Sequence, residues 1–260
     1  VKDYSFESLF SFDGYAEKLP DGKYRIVKKK TFIDDLTKLP NPDWSWMEFD
    51  IYNQNPNDPL VAGLPIMCTR GCPNNCTYCS SKLYWGQRFL YRPIEKVIEE
   101  ILSSYNQYGI KNFSVVDDNP AFDKNWFLKF CQSYRKMPQD INISFNNFSI
   151  KTVDQDVIDG LKIIRQNKIT IAIETGSQGM QKHINKRLDL KDAAAKVDLL
   201  KKNKIRMHVA WMIGFPNETM GQINETVNMA KKLRTYSIQV FPVFPFPGTK
   251  LYEEANHKAS

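Results

Sequence analysis

Residues Lys168-Ile169-Thr170-Ile171-Ala172-Ile173-Glu174 alternate strictly. Ile169, Ile171 and Ile173 fall on one face of an extended segment, and Thr170, Ala172 and Glu174 on the other. Working outward, the same pleat recurs at 205–213, where Met207, Val209 and Trp211 oppose Arg206, His208 and Ala210. At 142–147, Asn142, Ser144 and Asn146 alternate with Ile143 and Phe145, and at 110–118 Asn112, Ser114 and Asp118 alternate with Phe113 and Val115. A doubly wound sheet is buried on both faces and reads as continuous apolar runs. Strands with one polar and one apolar face instead suit a wall that carries helices outside and a wet lumen inside.

Further strands are expected at 61–67 and 236–243, and helices at 93–108, 123–136, 154–166, 189–203 and 218–234. Asp123 and Asp154 stand where N-caps belong, and Gly109 follows the first helix as a C′ residue. Alternating strands and helices predict a parallel sheet with helical crossovers. Six strands fall short of the eightfold barrel. The expected fold is therefore α/β, a partial (β/α)6 TIM-like barrel with an N-terminal linker and with its chemistry at the C-terminal strand ends.

Residues 1–60 read differently. Leu19-Pro20-Asp21-Gly22 is a turn signal between two short candidate strands, and the stretches at 39–43 and 53–59 are rich in proline and asparagine around Trp44 and Trp46. These residues are expected to form a linker that packs through its aromatics, and 61–260 the catalytic core. The chain stops just into a sixth helix, so the core 61–260 is expected to be cut short at its C-terminal end.

The 260 residues, 42% hydrophobic, suffice for a sizeable core. No apolar run is long enough to span a bilayer. The net charge of +7 is dispersed, with only short tracts such as Lys28-Lys29-Lys30. That argues for a solvated lysine-rich surface and against a nucleic-acid partner. Four of the five cysteines lie between residues 68 and 79, which points to metal in a reducing compartment, the cytoplasm, and not to a disulfide framework.

That cluster is Cys68-Thr69-Arg70-Gly71-Cys72-Pro73-Asn74-Asn75-Cys76-Thr77-Tyr78-Cys79. Cys72, Cys76 and Cys79 form the one possible CxxxCxxC register, because Asn75 stands three residues after Cys72. Soft thiolates select iron–sulfur clusters, zinc or copper(I). A closed electron-transfer cluster takes four cysteines, so three from one loop leave an iron open. The alternative is a four-cysteine zinc knot with Cys68, which lacks the usual second CxxC hairpin. Cys68, ending the first strand, and Cys131, beside Phe127 and Phe130, are read as core residues.

Thr69-Arg70-Gly71-Cys72-Pro73 followed by Cys76 and Cys79 resembles the radical S-adenosylmethionine (SAM) superfamily, more narrowly its cobalamin-binding branch and the related methylthiotransferases. Ile33-Asp34-Asp35-Leu36 with Leu39-Pro40-Asn41-Pro42 resembles the linker after that branch's cobalamin domain, and the likeness runs over about 31–252. It implies a [4Fe–4S] cluster on Cys72, Cys76 and Cys79 and reductive cleavage of SAM bound at the open iron. Tyr78 fills the aromatic place before the third cysteine. The resemblance further implies that Asp118 meets the SAM amino group, Glu174 (in Ile173-Glu174-Thr175-Gly176-Ser177) the ribose and Lys186 the SAM carboxylate. Ile213-Gly214-Phe215-Pro216-Asn217-Glu218-Thr219 resembles the loop along the adenine, with Asn217 where relatives carry a glycine of positive φ. Arg206 and His208 face the expected lumen, where His208 reads either as a substrate ligand or proton donor or, equally, as a hydrogen-bonded lumen side chain.

The implied activity is cobalamin-assisted methylation or rearrangement of a small-molecule or peptide substrate, with a reductant such as flavodoxin or ferredoxin. Cobalamin would come through a domain outside this chain, since no DxHxxG pattern occurs in it. The alternatives are methylthiotransfer, which usually brings further upstream cysteines that residues 1–67 lack, and a zinc-stabilised binding module.

Overall fold

A computed structural model describes residues 13–49 and 63–259. Strands β1 (Tyr15–Lys18) and β2 (Tyr24–Val27) form an antiparallel hairpin about the Leu19–Gly22 turn. A 3-10 turn at Leu36–Lys38 follows, with Leu36 buried. Trp44 packs on the main core and the Phe49 ring lies tilted against Tyr108 with centroids 5.0 Å apart, but Trp46 is exposed. Only part of the expected aromatic packing of this segment is therefore formed, and the stretch 53–59 lies outside the described residues.

The main body begins with β3 (Leu64–Ile66) and a two-residue antiparallel ladder of β4 (Thr69–Arg70) with β5 (Leu90–Tyr91), which encloses the short helix α1 (Ser81–Trp85). Helix α2 (Ile94–Tyr108) leads to β6 (Asn112–Val115), α3 (Lys124–Tyr134) to β7 (Asn142–Phe145) and β8 (Asn147–Phe148), and α4 (Gln155–Ile163) to β9 (Lys168–Glu174). Then come α5 (Gln178–His183), α6 (Leu190–Lys202), β10 (Arg206–Ile213), α7 (Met220–Leu233), β11 (Ser237–Pro242) and α8 (Lys250–Ala259).

β3, β6 and β7 form one parallel ladder and β8, β9, β10 and β11 another. The two are joined through Asn146, whose carbonyl accepts from Thr170 N at 3.0 Å. Each strand thus lies beside its predecessor in sequence, with helices between. Among the described residues β3 and β11 each pair on one side only, so the wall stays open. All six expected strands and all five expected helices are present. Asp123 and Asp154 cap their helices by accepting from Trp126 N and Val157 N, and Gly109 takes the left-handed conformation at φ 67°.

Ile169, Ile171 and Ile173 with Met207, Val209 and Trp211 are buried in the main core, packed under the helices. Cys68 and Cys131 are fully buried in the same core, as expected. A smaller apolar cluster of Met180, Ile184, Phe215 and Leu251 ties the loops together at the C-terminal rim. No helix among the described residues is long and apolar enough to cross a membrane.

Candidate active site at the C-terminal strand ends

The cysteine loop leaves β4 through Gly71, which has φ 92° and whose added Cβ would lie 2.2 Å from the Arg88 carbonyl. Only glycine fits there. The loop is then tied at three points. Thr77 N donates to the Ile184 carbonyl at 3.0 Å, the Thr77 carbonyl accepts from Leu251 N at 3.0 Å, and Asn185 Nδ2 donates to the Asn75 carbonyl at 2.7 Å.

Cys72, Cys76 and Cys79 are free thiols lining one cavity of about 250 Å³. Asn74 Nδ2 donates to Cys72 Sγ at 3.3 Å and Ser81 N to Cys79 Sγ at 3.5 Å. Donors aimed at sulfur suit thiolates that ligate a cluster, since such hydrogen bonds help set its potential. Burial pushes the Cys76 and Cys79 thiols above their ordinary range. Metal binding must therefore displace protons from them. Among the described residues no three His, Cys, Asp or Glu side chains gather around a single metal ion. Three thiols of one loop on one cavity are the soft donor set that would hold an iron–sulfur cluster. Cys68 faces the core and is absent from the cavity lining, which removes the fourth ligand of a zinc knot.

Opposite the cysteines stands Glu174. The register of β9 against β10 shifts here, so that Trp211 lies beside Glu174. Bulges re-aim side chains in this way beside active sites. Thr175 N donates to the Ile173 carbonyl at 3.0 Å and Glu174 has φ 72°, a tight γ-turn. Its Oε1 accepts from Tyr78 OH at 2.8 Å and from Lys186 Nζ at 2.9 Å. Lys186 is not a solvated helix end. Its side chain is 14% exposed and that of Glu174 8%. Burial, then the Glu174 charge, holds the Tyr78 phenol far above its ordinary range, so it remains a donor.

Asp118 also lines the cavity and accepts from Ser81 Oγ at 2.5 Å, as the alternation in 110–118 requires. Its neighbour Asp117 points away and is buried. The cavity thus brings together Cys72, Cys76, Cys79, Tyr78, Asp118, Glu174 and Lys186. Ile213 and Gly214 end β10 outside its lining. Their loop closes on itself, because the Glu218 carboxylate accepts from Gly214 N at 2.6 Å and Phe215 N at 3.3 Å. Asn217 has φ 64°, the left-handed conformation expected from its place in the motif.

His208 is a hydrogen-bonded side chain of the lumen wall. It shares the inner face, but near the start of β10, where it bonds the Ser237 hydroxyl and packs edge-on to Tyr236. Arg206 lies over the same Tyr236 ring. Neither lines the cavity.

Asn119, Asn147, Ser149 and Thr170 add a neutral polar wall to the cavity. Among the described residues Asn119 Nδ2 is buried without a hydrogen-bond partner. Strict alternation misses Asn147, because the chain breaks register at Asn146 and brings Asn147 opposite Thr170.

With this geometry in hand, three relatives are informative. The chain is 30% identical over 236 residues to an uncharacterized methyltransferase of Pyrococcus horikoshii, covering 90% of this chain and 50% of that protein. It is 26% identical to an anaerobic magnesium-protoporphyrin IX monomethyl ester cyclase of Rubrivivax gelatinosus, covering 95% and 44%. The chain thus spans about half the length of these curated relatives. The radical SAM methyltransferase TsrM of Kitasatospora setae, solved with cobalamin and a [4Fe–4S] cluster bound, shares the fold with a TM-score of 0.66 at 18% identity, over 76% of this chain and 37% of that one. The family model for the radical SAM superfamily matches residues 66–230, from the end of β3 into α7 and across the whole cysteine loop. This chain belongs to the radical SAM superfamily.

Proposed function

We propose that this chain is the core of an enzyme that cleaves SAM reductively and serves cobalamin-assisted methylation of a small-molecule or peptide substrate. The observation that carries the reading is the convergence of Cys72, Cys76 and Cys79 with Asp118, Glu174 and Lys186 on one cavity. When bound, the [4Fe–4S] cluster supplies the electron that breaks the sulfonium bond of SAM, yielding a 5′-deoxyadenosyl radical.

The chain's own residues position SAM. The Asp118 carboxylate receives the SAM ammonium, a charge-assisted pair. Lys186 Nζ turns from Glu174 to the SAM carboxylate, and the freed Glu174 oxygen accepts from the ribose hydroxyls. Tyr78 OH keeps the Glu174 carboxylate in place during that exchange. The loop of Ile213 and Gly214, just outside the cavity lining, is assigned to the adenine on its resemblance to the family's loop alone. The neutral wall of Asn119, Asn147 and Ser149 faces the substrate. Residues 1–60 act as the linker to a cobalamin-binding domain. An electron donor of the flavodoxin or ferredoxin class reduces the cluster, in a reducing compartment such as the cytoplasm. The methyltransferase named among the relatives supports methyl transfer, and the cyclase extends the candidate substrates to tetrapyrroles.

The test is anaerobic reconstitution with iron and sulfide, then electron paramagnetic resonance of the reduced protein with and without SAM. A reduced-cluster signal that shifts on adding SAM is expected. Cys76→Ala should abolish the shift and all release of 5′-deoxyadenosine, whereas Cys68→Ala should retain both. A silent protein carrying one tetrahedral zinc, or cluster loss in Cys68→Ala, would overturn the reading.

A further inference from the structure

The residues just before the cysteine loop are gripped more tightly than the loop itself. Asp117, 1% exposed and two residues past the end of β6, accepts from Cys68 N at 2.8 Å through Oδ1 and from Thr69 Oγ1 at 2.8 Å through Oδ2. From the other side Arg92 N donates to the Cys68 carbonyl at 2.9 Å, and the Arg92 guanidinium to the Met67 carbonyl at 3.0 Å. That guanidinium is itself fixed by Glu100 at 2.6 Å and by the Asn41 side chain at 2.8 Å. The peptide groups around Cys68 therefore have no freedom to rotate. At the far end of the loop the next acid, Asp118, holds Ser81, two residues past Cys79. Two consecutive carboxylates on one strand end thus bracket the loop.

We propose that Asp117 is a positioning residue that holds the cysteine loop in its ligating shape, while Asp118 faces the bound molecule. The inference rests on the cluster assignment above. Its physical basis is the burial of both donors. Cys68 and Thr69 are excluded from water, so without Asp117 their N–H and O–H groups are left unpaired and the backbone must shift to reach other acceptors. Such a shift is transmitted to Cys72 through the short β4 strand and Gly71. Charge is not what the clamp needs. An asparagine at 117 keeps an acceptor for Cys68 N and presents an amide donor to the Thr69 hydroxyl, which can turn and accept. A leucine of similar size offers neither.

The experiment reconstitutes the full chain and follows the rate at which the cluster yields iron to a chelator, alongside the resonance signal with and without SAM and urea unfolding of each variant. Asp117→Leu should release iron about tenfold faster than the parent, the scale of two lost hydrogen bonds, and give a broadened signal. Asp117→Asn should restore both to near the parental values. Equal rates for the parent and Asp117→Leu would overturn the proposal, as would an Asp117→Asn chain as labile as Asp117→Leu. Should Asp117→Leu fail to accumulate, Thr69→Val removes one of the two bonds. It should release iron about threefold faster, and a parental rate would sink the idea. A parent chain that takes up no cluster marks failure of the cluster assignment, whereas a normal parent with indifferent variants marks failure of the clamp alone.

Discussion

Glu174 holds a left-handed backbone conformation that glycine would adopt freely, and its carboxylate explains why a charged residue stands there. The turn aims one oxygen at both Tyr78 and Lys186, a convergence that a regular strand end does not allow. Asp117 shows the opposite economy, a carboxylate kept out of water. Burial raises its pKa to about 7, against the lowering effect of its bonds from Thr69 and Cys68 and with a further upward push from Asp118. The unfolded value is about 3.9. Between these values the folded chain binds more protons, so the contribution of Asp117 to stability is complete below about pH 4 and is lost as the pH rises to about 7. Urea unfolding of the cluster-free chain at pH 5 and pH 8 should show the parent losing more stability than Asp117→Asn. Equal losses would contradict the buried-carboxylate account. The inward aim of Asp118 was legible from alternation alone. The clamp by Asp117 was not, because its partners lie 48 and 49 residues away and no local pattern encodes them.

At the scale of elements, the period-2 pattern identified the four central strands of the wall, whereas β11, exposed along nearly its whole length, carries no such alternation. The short helices α1 and α5 escaped detection. Helices of five and six residues give no periodicity to read, and theirs are held by the loops around them. Ile213 and Gly214 show the limit of motif reading. The motif locates their strand end correctly but says nothing of the Glu218 carboxylate that folds the loop back. Between β9 and α5 the sequence Thr175-Gly176-Ser177 brings the chain against α7. A Cβ on Gly176 would lie 2.7 Å from Thr226 Cα and 2.8 Å from the Glu225 carbonyl, both backbone atoms that cannot swing aside. Gly176→Ala should therefore cost about 2 kcal/mol in urea unfolding and weaken the Thr175–Thr226 hydroxyl contact of 3.1 Å. A change within a few tenths of a kcal/mol would show that α7 yields to the added methyl group.

At the scale of the whole molecule, the open wall leaves β11 as an edge among the described residues. Ile238 and Val240 pair in register with the buried Val209 and Trp211, yet are 54% and 50% exposed. An apolar strand with an unpaired edge promotes association. Sedimentation over a range of concentrations should show this chain self-associating, and Val240→Lys should shift it toward monomer. A monodisperse parent would refute that expectation. The three ties on the cysteine loop carry a different consequence, one of timing. Their partners, Ile184, Asn185 and Leu251, are made long after the cysteines they support. During synthesis the thiols emerge on an unbraced loop, and the last brace arrives only with α8. Iron met before then finds three mobile thiols with no pocket around them. Cluster delivery is therefore best matched to a finished chain, and a ribosome pausing before residue 251 would prolong the interval in which the thiols are open to oxidation.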